Sequence, residues 1–339
     1  MAKDIGIDLG TANVLIYVTG KGIVLNEPSV VAIDTRTDKV LAVGSEAYKM
    51  VGRTPVNIRA IRPLKDGVIS DFDVTEEMLT YFINKLDVKG FLSKPKIMIC
   101  APTGVTEIER NAIVQAAEKA GGGQVYLELE PKVAAVGAGM DIFQPRGNMV
   151  IDMGGGTSDI AVISLGDIVA SKSLRVAGDK MNSEIANYIK QKHNLIIGEH
   201  SAEKIKIEIG TAKPDPENSK EMEVRGRDAV SGMPRSITMT SDEIAEAISD
   251  TVQQIIDGAK DVLAVTPPEL ASDIVDRGVM LTGGGALLRN IDTVIADALT
   301  VPVIISENPL DNVAKGAGIL LEHYIKDPKA AKRSKEEQK

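Results

Sequence analysis

The 339-residue chain predicts an α/β fold of two duplicated lobes, each with an inserted small subdomain. Three observations lead there. Residues 5–16 are echoed at 150–161, each copy being a β-branched strand, an Asp, a glycine-containing turn and a second apolar strand of period two. Placing Asp8 on Asp152 sets an offset of 144 residues, too long for a solenoid repeat and suited to a duplicated domain. In each half a further apolar strand then runs through Gly or Pro into a helical pattern, the grammar of sheets covered on both faces.

Composition narrows the class. With 43% hydrophobic and 26% charged residues the chain is neither disordered nor a coiled coil. Four Phe, six Tyr and no Trp leave the core to Val, Ile, Leu, Ala and Met. A net charge of −9 argues against a broad nucleic-acid footprint, so no direct nucleic-acid partner is expected. A lone Cys100 in the apolar run 97–101 reads as a buried, inert thiol, and three scattered histidines do not make a zinc site. No stretch approaches 18 consecutive apolar residues and residues 1–4 lack a signal-peptide pattern, so the expectation is a cytoplasmic protein.

Along the chain, the first hairpin ends its strand at Asp8 and turns through Gly10, Thr11, Ala12 and Asn13, small residues that let backbone N–H groups approach an anion. Residues 33–65, with the polar cluster 34–38, read as the first small subdomain, set into a large one of 1–32 and 66–147. Phe91 and Leu92 follow Gly90 and are flanked by two lysines, Lys89 and Lys94. That pattern fits a loop docking on a membrane surface or partner, and equally one folding back on the core. Strand 96–101 precedes a helix at about 106–120, closed by Gly121, Gly122 and Gly123. Glu130, just before Pro131, stands at a strand-to-helix corner. Its carboxylate could orient a water in line with a terminal phosphate, or merely satisfy a helix dipole.

The second hairpin turns through Gly154, Gly155, Gly156, Thr157 and Ser158, offering several N–H donors and two hydroxyls. Two such nests facing each other would clamp a polyphosphate. The preceding carboxylates, Asp8 and Asp152, would repel it unless a divalent cation, Mg²⁺ by choice, lay between. Residues 181–247, with helices at 182–193 and 202–210, read as the second small subdomain, set into 148–180 and 248–325. Glu203 and Lys206 share a helix face there and alone would read as a surface ion pair. Gly283, Gly284, Gly285 and Ala286 form either a slot for a flat base or a tight turn. Residues 326–339, with six Lys or Arg, read as a charged flexible tail.

Taken in order, residues 7–13, Asp152 to Thr157, Glu130-Pro131 and residues 281–288 resemble the phosphate 1, phosphate 2, connecting and adenosine motifs of the actin, sugar kinase and Hsp70 superfamily. More narrowly, over residues 4–325 the chain resembles the MreB family of bacterial actins, and residues 22–32 and 228–234 look closest to its Mbl branch. The resemblance implies an actin-like ATPase fold with ATP and Mg²⁺ in the interlobe cleft. It implies slow hydrolysis coupled to polymerisation of the chain with itself. The filaments would lie on the cytoplasmic face of the plasma membrane and direct lateral wall synthesis with the elongation machinery, keeping cells rod-shaped. It also implies that Thr11, Ala12, Asn13 and Gly154 to Thr157 hold phosphates, and that Asp8 and Asp152 hold Mg²⁺ through water. Glu130, with Thr157, would position the attacking water. Glu203, Lys204, Ile205 and Lys206 would meet ribose and adenine, Gly283 to Ala286 would close on the adenosine, and Phe91-Leu92 would be a membrane loop. The chain departs from the family pattern at Leu129, which separates Glu128 from Glu130 where two adjacent acids are usual, and at Ser158, where Thr is usual. No N-terminal amphipathic helix of the kind some relatives have is expected from residues 1–4. A small-molecule kinase or a plasmid-partitioning actin on the same fold are the alternatives.

Overall fold

The computed structural model describes residues 2–86, 88 and 93–331. Lobe one opens with an antiparallel meander of β1 (Ile5–Leu9), β2 (Asn13–Val18) and β3 (Gly22–Pro28). The chain then leaves for a small sheet of β4 (Val31–Asp34), β5 (Lys39–Val43) and β6 (Ile58–Ile61), ordered β5-β4-β6, with the short helix α1 (Ser45–Tyr48) against it. It returns through a hairpin of β7 (Leu64–Lys65) and β8 (Val68–Ile69), whose tip is Asp66-Gly67. After α2 (Phe72–Lys85), capped by Asp71, β9 (Lys96–Ala101) adds parallel to β1. Helix α3 (Glu107–Lys119), opened by a Thr106–Glu109 capping box, leads to β10 (Gln124–Leu129), parallel to β9, and then α4 (Glu130–Gly137).

Lobe two repeats the plan. Strands β11 (Asn148–Met153), β12 (Ser158–Ser164) and β13 (Asp167–Leu174) form the second meander. The insert comprises α5 (Gly178–His193), β14 (Leu195–Ile196), α6 (Glu199–Ile209), β15 (Glu221–Asp228) and β16 (Pro234–Thr240), its sheet ordered β14-β15-β16. Then follow α7 (Ser241–Val265), α8 (Pro268–Arg277), β17 (Val279–Thr282), α9 (Ile291–Leu299), β18 (Val303–Ile305) and α10 (Asn312–Lys326). The large sheets run β10-β9-β1-β2-β3 and β18-β17-β11-β12-β13, with β17 parallel to β11 and β18 parallel to β17. The duplication is therefore matched strand by strand, in order and in direction. β11 and β12 are buried at every residue, as strands covered on both faces must be.

The two lobes are joined by exchanged helices. α4, which ends lobe one, packs on β11 and β12; α10, which ends lobe two, packs on β1, β2 and β9. The helices cross backbone to backbone. A Cβ on Gly137 would lie 1.9 Å from Asn312 O, and one on Gly316 2.0 Å from Val133 O, so only glycine fits at either position. The apolar residues here, among them Met98, Cys100, Val133, Val150, Ala317 and Leu321, form a cluster shared by both lobes. Each lobe also has its own aliphatic cluster. Phe82 is the one fully buried phenylalanine among the described residues, and the cores are Ile, Val, Leu, Ala and Met as composition requires.

Boundaries differ from the sequence reading at several places. The first small sheet begins at Val31, two residues before 33, because β4 carries on from Pro28 almost without a loop. The limit at 247 falls inside α7, which starts at Ser241. Of the charged tail, Ala330 and Ala331 are partly buried against the shared cluster rather than solvated, and residues 332–339 lie outside the described residues. The helical pattern after Gly283 is first a single 3₁₀ turn, Gly284–Leu287, and only later a helix, α9.

Candidate functional site

The duplicated hairpin tips meet across the cleft between the lobes. A Cβ on Gly155 would lie 2.8 Å from Ala12 Cβ, and one on Gly156 2.5 Å from Thr11 Oγ1. Each tip is braced from behind. Ser29, fully buried, donates from Oγ to Gly10 O at 2.6 Å and from its N–H to Ala12 O at 2.9 Å. Across a trans peptide the next N–H points the opposite way, so the amides of Thr11 and Asn13 face away from Ser29. In lobe two the start of α5 does the same: Gly178 N–H donates to Gly154 O at 3.2 Å and Asp179 N–H to Gly155 O at 2.8 Å. The amides of Gly155 and Gly156 are thereby turned away from α5. Four N–H groups from two lobes, each turned away from its brace, are what a concave anion site would need.

Around these tips lies a cavity of about 450 Å³. Asp8, Gly10, Thr11, Ala12, Asn13, Glu130, Asp152, Gly154, Gly155, Gly156, Thr157, Glu203, Lys206, Gly283, Gly284 and Gly285 all line it, so the structure brings together most of the residues singled out in the sequence. Three it does not. Ile205 is buried in the core of lobe two, Lys204 points to solvent beside Glu208 at 3.6 Å, and Ala286 is fully buried. The cause is helical geometry. Ala202, Ile205 and Ile209 form the core face of α6 and Glu199, Glu203 and Lys206 the cleft face, so a run of four residues cannot all meet one ligand. Phe91 and Leu92 lie outside the described residues.

The electrostatics are lopsided. Five acids line the cavity (Asp8, Glu130, Asp152, Asp179 and Glu203) against two cations, Lys206 and Arg289. Arg289 is occupied, donating to Gly210 O at 3.1 Å, Ile209 O at 3.1 Å and Asn218 O at 3.3 Å. Lys206 Nζ donates to Gly178 O at 2.9 Å, and burial draws its pKa down. Burial, reinforced by the charge of Asp152, pushes the Asp8 carboxyl up to about 8. Burial pushes Asp152 up to about 7 even though Thr282 Oγ1 donates to its Oδ1 at 2.7 Å. Burial, then Asp159, Asp8 and Asp152, holds Glu130 well above the carboxylate range. Cys100, buried under the same acids, is pushed far above the usual thiol value, in keeping with an inert side chain.

Such a floor fits a divalent cation. It holds carboxylates short of positive charge, beside backbone donors suited to an anion. Among the described residues no three His, Cys, Asp or Glu side chains converge as a metal cage, so an ion here would be held chiefly by water and ligand oxygens.

Glu128 and Glu130 take different roles although two residues apart. Glu128 is buried with Lys132 Nζ at 3.0 Å and the Tyr324 hydroxyl, in the seam between the lobes, while Glu130 reaches the cavity. Sequence reading missed several residues of the site. Gly67 donates to Thr11 Oγ1 at 3.1 Å and abuts Thr157; its Asp-Gly tip was a legible hairpin signal. Asp159 pairs with Asp152 in the ladder, and its Oδ1 accepts from Thr103 N–H at 2.8 Å and Oγ1 at 3.0 Å, tying β12 to lobe one. Its position in the strand pattern had marked it only as part of an apolar run.

Comparisons with known proteins bear on the family and the fold. A family model described as MreB/Mbl protein matches residues 2–329. The cell shape-determining protein Mbl of Bacillus cereus is 64% identical over 332 residues, covering 98% of this chain and 99% of that protein. Crystal structures of MreB5 of Spiroplasma citri bound to AMPPNP and to ADP superpose with a TM-score of 0.92 at 40% identity, covering 97% of this chain and 99% of theirs. A MamK double helical filament shares the fold, with a TM-score of 0.79 at 20% identity over 94% of this chain and 98% of that one. With its duplicated lobes, facing hairpin tips and full-length likeness, this chain is an actin-like protein that belongs to the MreB/Mbl family.

Proposed function

We propose that this chain is a cytoskeletal ATPase that polymerises into membrane-associated filaments and directs lateral wall synthesis, so maintaining rod shape. The observation that carries the reading is the pair of braced hairpin tips in contact across the cleft, each preceded by an acid that needs a cation. Relatives across nearly the whole chain are cell shape-determining proteins, a structural neighbour binds AMPPNP and ADP, and a more distant one forms a filament. None of them favours a small-molecule kinase or a plasmid-partitioning actin.

In this reading the Thr11 to Asn13 and Gly154 to Thr157 segments bind the phosphates of ATP, and Gly283 to Gly285 and Lys206 border the nucleoside. Asp8 and Asp152 would hold Mg²⁺ through water; when bound, the ion neutralises phosphate charge. Glu130 orients the attacking water and accepts its proton. A carboxylate lifted by burial is the stronger base once ionised, closer to working pH than an exposed one. Water attacks the terminal phosphorus and the bond to the ADP oxygen breaks, giving ADP and phosphate. Filaments couple to this because the two lobes clasp one nucleotide. The proposed subdomains are the two large sheets and the two small ones inserted into them. No helix among the described residues is long and apolar enough to cross a membrane, so attachment falls to a surface element, with Phe91-Leu92 as the proposed loop.

The test is phosphate release in Mg-ATP by Glu130→Ala. We expect turnover to drop about 10²-fold or more, with ATP affinity within about threefold of wild type. Unchanged turnover would remove Glu130 from the mechanism.

A further inference from the structure

We propose that Tyr48, on the small subdomain of lobe one, is a positioning residue: its hydroxyl holds the Glu203 carboxylate of the opposite lobe in place for a ribose hydroxyl. This rests on reading the cavity as a nucleotide site. Closing the cleft and gripping the sugar would then be one event.

The contact spans the cleft mouth. Tyr48 Oη donates to Glu203 Oε2 at 2.5 Å, joining residues 155 positions apart. His200 Nδ1 lies 2.8 Å from the same Oη. A phenol has one proton, so with that proton on Glu203, His200 must be the donor to Oη. The Tyr48 ring is fixed as well. It meets the His200 ring edge-on, with centroids 5.1 Å apart, and the Arg62 guanidinium lies 5.9 Å above it. Arg62 in turn donates from Nε to Glu199 Oε1 at 3.0 Å, a second tie from lobe one to α6. Burial and the Glu203 carboxylate push the Tyr48 phenol upward, so it remains a hydrogen-bond donor at any working pH.

Glu203 connects this cluster to the cavity. It shares the cleft face of α6 with Lys206, and both line the cavity, whereas Tyr48, Arg62 and His200 do not. Among the described residues Glu203 makes no hydrogen bond besides the one from Tyr48, which leaves Oε1 to accept from a ligand. A ribose hydroxyl is the donor a nucleotide offers to a carboxylate. An exposed glutamate with three rotatable bonds meets that donor poorly; one pinned by a partner from the other lobe meets it with little entropy to lose.

The experiment compares equilibrium Kd values for ATP, 2′-deoxyATP and 3′-deoxyATP in wild type, Tyr48→Phe and Glu203→Ala. Tyr48→Phe keeps the ring contacts and removes only the hydroxyl. The proposal expects it to lose about three- to tenfold of the wild-type preference for ATP over at least one deoxy analogue, while its affinity for that analogue is unchanged. That unchanged affinity also shows the variant is folded. Glu203→Ala is expected to abolish the same preference. If Glu203→Ala loses it and Tyr48→Phe keeps it, Glu203 meets the ribose without Tyr48 and the proposal fails alone. If Glu203→Ala keeps it too, the ribose role of Glu203 fails with it. Equal weakening of all three nucleotides by Tyr48→Phe would mean the hydroxyl merely ties the lobes together, and that also overturns positioning.

Discussion

At the scale of single residues, the acids of the cavity floor are a cost to the unliganded protein. Asp8, raised to about 8 by burial and by Asp152, keeps its proton in the folded chain at pH values where the unfolded chain has lost it. The folded state thus binds more protons, and its stability falls as pH rises from about 4 through about 8; Asp152, raised to about 7, adds to the same slope. Asp8→Asn removes that proton linkage. In thermal denaturation with chelator and without nucleotide, we expect the variant to be more stable than wild type at pH 8 by about 1–3 kcal/mol and to lose less stability between pH 5 and 9. Parallel pH profiles for the two proteins would contradict this. These acids were legible because Asp8 and Asp152 recur at matching places in a duplicated hairpin. Lys204, Ile205 and Ala286 were misplaced because a motif copied as a contiguous run ignores which face of its helix or turn each residue occupies.

At the scale of elements, the crossing of α4 and α10 is where the sequence is least forgiving. Gly316→Ala drives a methyl into Val133 O, backbone against backbone, with no flexible side chain to yield. We expect a loss of about 3 kcal/mol or more in urea denaturation, whereas an ordinary helical Gly→Ala gains up to about 1 kcal/mol. A neutral result would mean the helices can separate freely there. How well an element could be read tracks how it is capped. Helix α3 starts where expected because Thr106 and Glu109 form a capping box. Helices α5 and α6 start three or four residues before the sequence reading, at Gly178 and Glu199, because Ala177 and Gly198 offer no side-chain cap to announce them. The Thr240–Glu243 box of α7 was an available signal left unused, which is why the boundary fell inside that helix. Ser29 and the start of α5, which brace the two hairpin tips, could not be read from local pattern. Their role exists only once distant segments are packed together.

At the scale of the whole molecule, two lobes share one cluster of apolar residues beneath the cleft and clasp its mouth through Tyr48, Arg62 and α6. In the proposed reading, nucleotide at the centre would bear on the relative setting of the two large and the two small inserted sheets, the proposed basis for coupling hydrolysis to assembly. The proposed membrane loop is a separate matter, tested by pelleting with anionic vesicles. Replacing both Phe91 and Leu92 by Ala should abolish most of the lipid-bound fraction, and pelleting equal to wild type would remove the loop as anchor. The central claim, that this chain is a nucleotide-dependent filament former, is tested most directly by sedimentation and electron microscopy of the purified protein on anionic lipid across a range of concentrations. Ordered filaments in Mg-ATP, lost when nucleotide is withheld, are the predicted result. Absence of polymer at every concentration, or polymer indifferent to nucleotide, would contradict it.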